Sequence, residues 1–410
     1  MGDFHQNGII TTLHNLGQRP VEHMENELNN FKAECPMGLV LPSLFSELEG
    51  PALSNIVQEL TSVPYLDEIV IGLDRADEKQ YRFALDYFSK LPQHHRVLWN
   101  DGPRLLAIDK QLQELGLAPT HLGKGRNVWY CYGYVLASGR ARAVALHDCD
   151  ILTYDRSLLA RLIYPVANPN FSYVFCKGYY SRIAGNRIGG RVMRLFVTPL
   201  IKTLKKVSEQ DEFLDYLDSF RYPLAGEFSI RSDVINDLHI PSDWGLEVGV
   251  LSEMKRNYAE NRLCQSDIAD VYDHKHQDLS ADDTENGLSK MTIDIAKALF
   301  RKLATNGDVF STEKFRTIKA TYYRIALDFI DTYHNDAIIN GLEFDRHKEE
   351  MSVELFASNI MTAGDHFLEK PMDKPFIPSW NRVISAIPDI LDQLKAAVEK
   401  DNGEFKNETR

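Results

Sequence analysis

Four short apolar runs, separated by stretches patterned as helices, occupy the first half of this chain and leave few folds open to it. Met37 to Leu44 (MGLVLPSL), Asp67 to Leu73 (DEIVIGL), His95 to Trp99 (HRVLW) and Ala143 to His147 (AVALH) have the continuous apolar character of strands buried on both faces. Between them, Leu53 to Leu60, Asp77 to Leu91 and Arg104 to Leu115 carry helical spacing, the first opened by Gly50-Pro51. Val128, Cys131, Tyr132, Val135 and Leu136 fall on one face of a further helix. Repeated units of this kind predict an α/β domain: an open, largely parallel sheet with helices on both faces. In such sheets ligands bind beyond the carboxyl ends of the strands.

Residues 171 to 280 mix strands and helices: a strand in FSYVFCKGYY, a Gly-rich loop (AGNRIGG), a helix from Val192, a strand near Ala225 to Ile230, a helix from Glu247 and a strand near Leu263 to Val271. Beyond about Ser280 the pattern becomes long and amphipathic, with helices expected at Thr292 to Leu303, Thr312 to His334, Lys348 to Phe367 and Val383 to Lys400. The expected organisation is an N-terminal extension (1–36), a catalytic domain (37–280), a helical C-terminal region (281–400) and a frayed tail (401–410).

Several function classes are disfavoured. With 410 residues, 44% hydrophobic and 26% charged, the chain can bury a large core. A formal net charge of -13 repels nucleic acid. Five scattered cysteines without a CxxC pair read as reduced thiols rather than a disulfide framework or zinc site. The N-terminus lacks a basic region followed by an apolar run, and no stretch approaches a membrane span, so a cytoplasmic protein without a membrane partner is expected.

Five constellations could carry chemistry. Asp148-Cys149-Asp150 follows the AVALH strand directly, and in extended backbone residues i and i+2 point to one side. Two convergent carboxylates suit Mg²⁺ or Mn²⁺, with a substrate diphosphate completing the shell. Asp273-His274-Lys275-His276 follows the last strand, and His274 could add an imidazole ligand to the same ion. Gly123-Lys124-Gly125-Arg126 opens a helix, where backbone N–H groups and Lys124 suit an anion; taken alone it reads better as a flexible surface turn, and it lacks the spacing of a P-loop. Gly189-Gly190-Arg191, with Arg182, Arg187 and Arg194 nearby, suits a carboxylate or phosphate, or is a solvated charged loop. Pro223 to Glu227 and Trp244 to Glu247 put small residues beside carboxylates, which would let a sugar approach the backbone; a turn and a helix-start acid explain the second piece equally.

In order and spacing, LPSLFSE, GKGRNVWY, HDCD, GGRVMRLFVTPL, PLAGE, WGLEVGVL and DHKH resemble the retaining glucosyl-3-phosphoglycerate synthases, a GT-A glycosyltransferase family, over about residues 37 to 280. The resemblance implies a metal-dependent transfer of a hexose from a nucleotide diphosphate sugar, UDP-glucose favoured, to 3-phosphoglycerate. It implies that Pro42, Ser43, Leu44 and Glu47 line the uridine pocket. Lys124, Asp148 and Cys149 would contact the nucleotide sugar, and Trp244, Gly245, Leu246 and Glu247 the transferred sugar. Asp150 and His274 would hold the divalent metal, Mg²⁺ or Mn²⁺. Gly190, Arg191, Met193 and His276 would face the acceptor, and Lys124, Asp148 and Glu247 would be the catalytic residues. The chain departs from the family pattern at Cys149 (Ser in the family), Met193 (Thr), His276 (Asn) and Leu73-Asp74-Arg75 (a Ser-rich turn). A mannosyl-3-phosphoglycerate or glucosylglycerate synthase, a nucleotidyltransferase and a non-catalytic interaction protein are the competing readings. The oligomeric state is not legible in the sequence, and the helical C-terminal region is compatible with a homodimer.

Overall fold

The computed structural model describes residues 6, 8–17, 19–119, 122–208, 211–241, 245–274, 287–371 and 376–404. The four apolar runs form β2 (Met37–Leu44), β3 (Leu66–Asp74), β4 (His95–Trp99) and β5 (Ala143–Leu146). They join β1 (Thr11–Leu13), β6 (Phe175–Tyr180), β9 (Phe228–Arg231) and β10 (Leu263–Ala269) in one eight-stranded sheet. Its order is β1-β10-β6-β9-β5-β2-β3-β4, parallel except at β9. Buried apolar residues cover both faces, as the uninterrupted hydrophobic character of the strands requires.

Two features of this topology position a site. The chain runs outward from β2 through β3 to β4, then returns so that β5 pairs with the other side of β2. That reversal opens a crevice at the carboxyl ends of β2 and β5. β9 is inserted antiparallel between β5 and β6, so its beginning lies at the end of the sheet where its neighbours finish.

Between β6 and β9, β7 (Ile183–Ala184) and β8 (Arg187–Ile188) form a small hairpin where the sequence suggested only a loop. Gly185 (φ 52°) and Asn186 (φ 62°) supply the two positive-φ positions that a tight two-residue turn needs. The helix expected from Val192 begins as a π-helical segment (Val192–Val197) before continuing as Thr198–Val207.

The N-terminal segment, read from sequence as an extension, supplies the edge strand β1, paired with β10, and the helix Val21–Phe31. The C-terminal region forms helices Gly287–Thr305, Thr312–Ile339 and Arg346–Glu369. Its last expected helix is divided into Trp380–Ala386 and Ile390–Glu404, because Pro388 cannot continue a helix from Ile387. The frayed tail expected from residue 401 is also corrected: the helix continues to Glu404, and Asp401 and Asn402 are buried. Arg104 ion-pairs with both Asp401 and Glu404, which fixes this turn. Trp380 stacks on Trp129 at 4.1 Å, and Glu399 accepts from Arg96 Nε (2.8 Å) and Tyr134 (2.6 Å). The C-terminal helices are thereby sealed onto the sheet domain. Among the described residues, no helix is long and apolar enough to cross a membrane.

Asn402 behaves as a surrogate strand. Its Oδ1 accepts from Val97 N (3.1 Å) and its Nδ2 donates to Val97 O (2.8 Å), completing the ladder on the edge strand β4. Asn402→Ala leaves both backbone groups without these partners and is expected to destabilise the protein by about 1–3 kcal/mol, measured by chemical denaturation.

Candidate active site

Two segments distant in sequence are zipped together at the carboxyl end of the sheet. His147 extends the pairing of β5 by donating its backbone N–H to Val40 O, and Asp148-Cys149-Asp150 then leaves the sheet. Beyond β10 the chain returns alongside: Ile151 and His274 form an isolated antiparallel bridge, and Leu152 N donates to Asp273 O at 2.8 Å. Asp273 N donates to Thr153 Oγ1 at 3.0 Å. This pairing brings His274 Nδ1 to 3.5 Å from Asp150 Oδ2. Burial pushes the Asp150 pKa up, but the hydrogen bond and charge of His274, with the charge of Lys124, outweigh it and hold the carboxyl below its ordinary value.

These two donors fit a divalent cation. Cis ligands on an ion with bonds of about 2.1 Å sit about 3 Å apart, close to the observed spacing. Among the described residues, no group of three or more His, Cys, Asp or Glu side chains gathers as a metal cage. An ion here would thus draw most of its shell from phosphate and water oxygens, which is the habit of Mg²⁺ at nucleotide sites.

The lysine of the Gly-rich turn lies beside this centre. The helix Lys124–Ser138 begins at Lys124 itself and is fixed to β3 by Asn127 Nδ2, which donates to Gly72 O at 2.9 Å. Arg126 turns inward toward Asp109 (3.7 Å), whereas Lys124 Nζ sits 2.6 Å from Asp148 Oδ1 and 3.3 Å from Glu247 Oε1. Burial disfavours its charge, but Asp148 and Glu247 outweigh that and hold its pKa above the ordinary lysine value. Glu247 stands in the first turn of helix Leu246–Asn257, after Gly245. Gly226 makes room for the ion pair: a Cβ there would lie 2.4 Å from Asp148 Oδ2 and 2.9 Å from Lys124 Nζ.

The other expected residues lie on several further elements. Pro42, Ser43 and Leu44 end β2, and Glu47 lies in the following single-turn helix Phe45–Glu49. Cys149 is buried, which pushes its thiol pKa well up, and the Ser43 hydroxyl donates to Leu44 O at 3.0 Å. Gly190 and Arg191 follow the hairpin, and a Cβ on Gly190 would meet the Tyr222 hydroxyl at 3.2 Å. Tyr222 in turn packs against Tyr180 with ring centres 5.0 Å apart. Met193 is only 7% exposed and belongs to the packed core, so it offers at most an apolar wall. Trp244 and His276 lie outside the described residues.

No protein-family model matches the chain. It is 45% identical over 404 residues to the glucosyl-3-phosphoglycerate synthase of Persephonella marina, covering 98% of this chain and 100% of that protein. It is 39% identical to the enzyme of the same name from Methanococcoides burtonii, covering 98% and 99%. The chain belongs to the glucosyl-3-phosphoglycerate synthase family. Its fold is similar to that of the Mycobacterium tuberculosis glucosyl-3-phosphoglycerate synthase in complex with Mn²⁺, UDP-glucose and phosphoglyceric acid, with TM-score 0.52 and 19% identity, covering 72% of this chain and 88% of that one. It is also similar to the mannosyl-3-phosphoglycerate synthase of Rubrobacter xylanophilus, with TM-score 0.52 and 21% identity, covering 70% and 80%.

Two residues in this family member's site were not singled out as ligands from the sequence. Glu227, at the start of β9, is fully buried and accepts from Tyr180 (2.9 Å) and Tyr272 (2.6 Å), whose rings stack at 3.7 Å. Burial and the Asp148 charge push its pKa up, against the Tyr272 hydrogen bond and the Lys124 charge. Tyr272 is two residues before His274, so Glu227 anchors the segment carrying the imidazole. Lys177, in the middle of β6, is 1% exposed, and its Nζ has no hydrogen-bond partner among the described residues. Burial lowers its pKa to about 8, with Glu247 and Glu227 working against the fall. Glu227 left its signal in the sequence as the acid that ends PLAGE, whereas Lys177 left only a charge inside an apolar strand run.

Lys177→Met should stabilise the folded chain at pH 7 by on the order of 1–3 kcal/mol, read as a Tm a few degrees higher. The sign follows from linkage. Between pH 8 and the ordinary lysine value the unfolded chain holds a proton that the folded chain has released, so wild-type stability rises with pH there. The advantage of the Met variant should therefore shrink from pH 8 to 10. Gly226→Ala should displace Lys124 from Asp148 and lower kcat/KM by about 100-fold with little change in Tm.

Proposed function

We propose that this chain transfers glucose from UDP-glucose to 3-phosphoglycerate, with retention of the anomeric configuration. The observation that carries the proposal is the convergence of Asp150 and His274, 3.5 Å apart, beside a lysine held between two carboxylates at the topological switch of the sheet. The names of both near-full-length relatives support glucose over mannose. The five cysteines, all buried and unbridged, fit the proposed cytoplasmic location, and we keep a homodimer as part of the proposal.

In this reading Pro42, Ser43, Leu44 and Glu47 hold the uridine, and Cys149 replaces a serine beside it. Asp150 and His274 are the metal ligands, and a divalent ion bound there supplies positive charge against the departing diphosphate. Lys124, already ionised by its carboxylate neighbours, donates to the donor's phosphate oxygens as negative charge grows on them. Asp148 orients Lys124, and Glu247 accepts from the sugar hydroxyls, with Trp244, Gly245 and Leu246 shaping that pocket. Gly190 and Arg191 grip the acceptor's phosphate or carboxylate, Met193 walls it, and His276 faces it. The acceptor hydroxyl attacks from the face that the nucleotide leaves, a leaving phosphate oxygen takes its proton, and positioning supplies most of the rate.

Incubation with UDP-glucose, 3-phosphoglycerate and Mg²⁺, read by mass spectrometry, should yield glucosylated phosphoglycerate and UDP. GDP-mannose and glycerate in parallel arms should react at least ~100-fold more slowly; mannosyl product as the main species would replace this reading with its rival. Asp150→Ala should lower turnover by at least ~100-fold, and near-native activity in that variant would end the metal assignment.

A further inference from the structure

The acceptor loop is held from behind by the C-terminal helices, and one carboxylate does most of the holding. Glu349, in helix Arg346–Glu369, is 5% exposed. Its Oε1 accepts from Arg191 Nε at 3.1 Å, and its Oε2 accepts from Arg194 Nη2 at 2.9 Å. Arg194 is itself buried. It donates through Nε to Gly189 O (2.7 Å) and through Nη2 to Ile188 O (3.2 Å), and its guanidinium lies 4.8 Å over the Tyr333 ring. Glu349 therefore pairs with two guanidiniums at once, one through each carboxylate oxygen: one clamps the carbonyls just before Gly190, and the other is Arg191. Gly190 is at φ 68°, a conformation that delivers Arg191 only if the preceding turn is held.

The chemistry of Arg191 gives this contact its meaning. A guanidinium presents its donors as a rigid fork. Glu349 occupies the Nε edge, and the two terminal nitrogens have no protein acceptor among the described residues. Those nitrogens form the pair that grips a phosphate or carboxylate bidentately. Other contacts from the same region fix the loop. Glu343 donates its N–H to Asn186 O (2.9 Å) and ion-pairs with Arg187 (2.6 Å), and the Tyr322 hydroxyl donates to Leu195 O (2.6 Å).

We propose that Glu349 is a positioning residue for the acceptor anion, and that the helical C-terminal region sets acceptor affinity through it. The proposal rests on the reading of Arg191 as the acceptor's anion ligand. Glu349→Gln should raise the KM for 3-phosphoglycerate about tenfold, the loss of roughly one charge-assisted hydrogen bond. The KM for UDP-glucose and kcat should stay within about threefold. Glu349→Asp, which keeps the charge, should show a smaller rise in acceptor KM and serves if the Gln variant does not fold. A lower Tm with unchanged acceptor KM would make the contact merely structural and overturn the proposal. A tighter acceptor KM would also overturn it, since Glu349 would then compete with the acceptor for Arg191. Arg191→Ala separates the two readings: unchanged acceptor KM there removes the role assigned to Arg191, whereas a raised KM there with no effect of Glu349→Gln removes only this inference.

Discussion

The antiparallel insertion of β9 is the constraint on which the rest of the site depends. In a wholly parallel sheet the residues preceding a strand lie at the opposite end from the ligand crevice. Because β9 runs against β5 and β6, Gly226 and Glu227, which lead into it, lie at the very end where β5 releases Asp148 and Asp150. Glu227 can then receive both tyrosine hydroxyls, and through Tyr272 the chain after β10 is drawn back across the loop after β5. The pairing of Asp150 with His274 is thus a consequence of strand direction. Gly226, lacking a side chain, lets the same strand start pass beneath the contact of Lys124 and Asp148.

Beside the partly exposed charges of the site, two charged side chains are taken out of water and held against that cost by the packing around them. Lys177 and Glu227 are both nearly or fully buried, on adjacent strands with apolar layers above and below. Burial drives both toward their neutral forms, with Glu247 and Glu227 opposing it at Lys177, and the Tyr272 hydrogen bond and the Lys124 charge opposing it at Glu227. Such arrangements are stiff because a small displacement exposes one charge without its partner. The aromatic stack of Tyr180 on Tyr272 and the packing of Tyr222 against it connect this cluster to the loop at Gly190.

The sequence disclosed what hydrophobic pattern alone can encode. Four parallel strands, the helix behind Lys124 and the carboxylates after β5 were legible because an apolar run with a defined end announces both a strand and its carboxyl terminus. Strand direction was not, since FSIR reads the same in either sense, and so the partners of Glu227 were out of reach. β1 escaped because three residues carry no periodicity. Lys177 and Glu349 were hidden for opposite reasons: one is a single charge in an apolar strand, the other one acid among many on a helix that looks solvated. Pro388 was visible, and its break in the last helix could have been read from it.

Asn402 has a consequence for association. An exposed strand edge invites pairing with the edge of another molecule, a common route to aggregation. Here the amide of a helix-borne asparagine occupies the outer rim of β4, and the opposite rim, β1, is only three residues long. Among the described residues neither side of the sheet offers a long open template to a second copy, which disfavours sheets that continue from one molecule into the next.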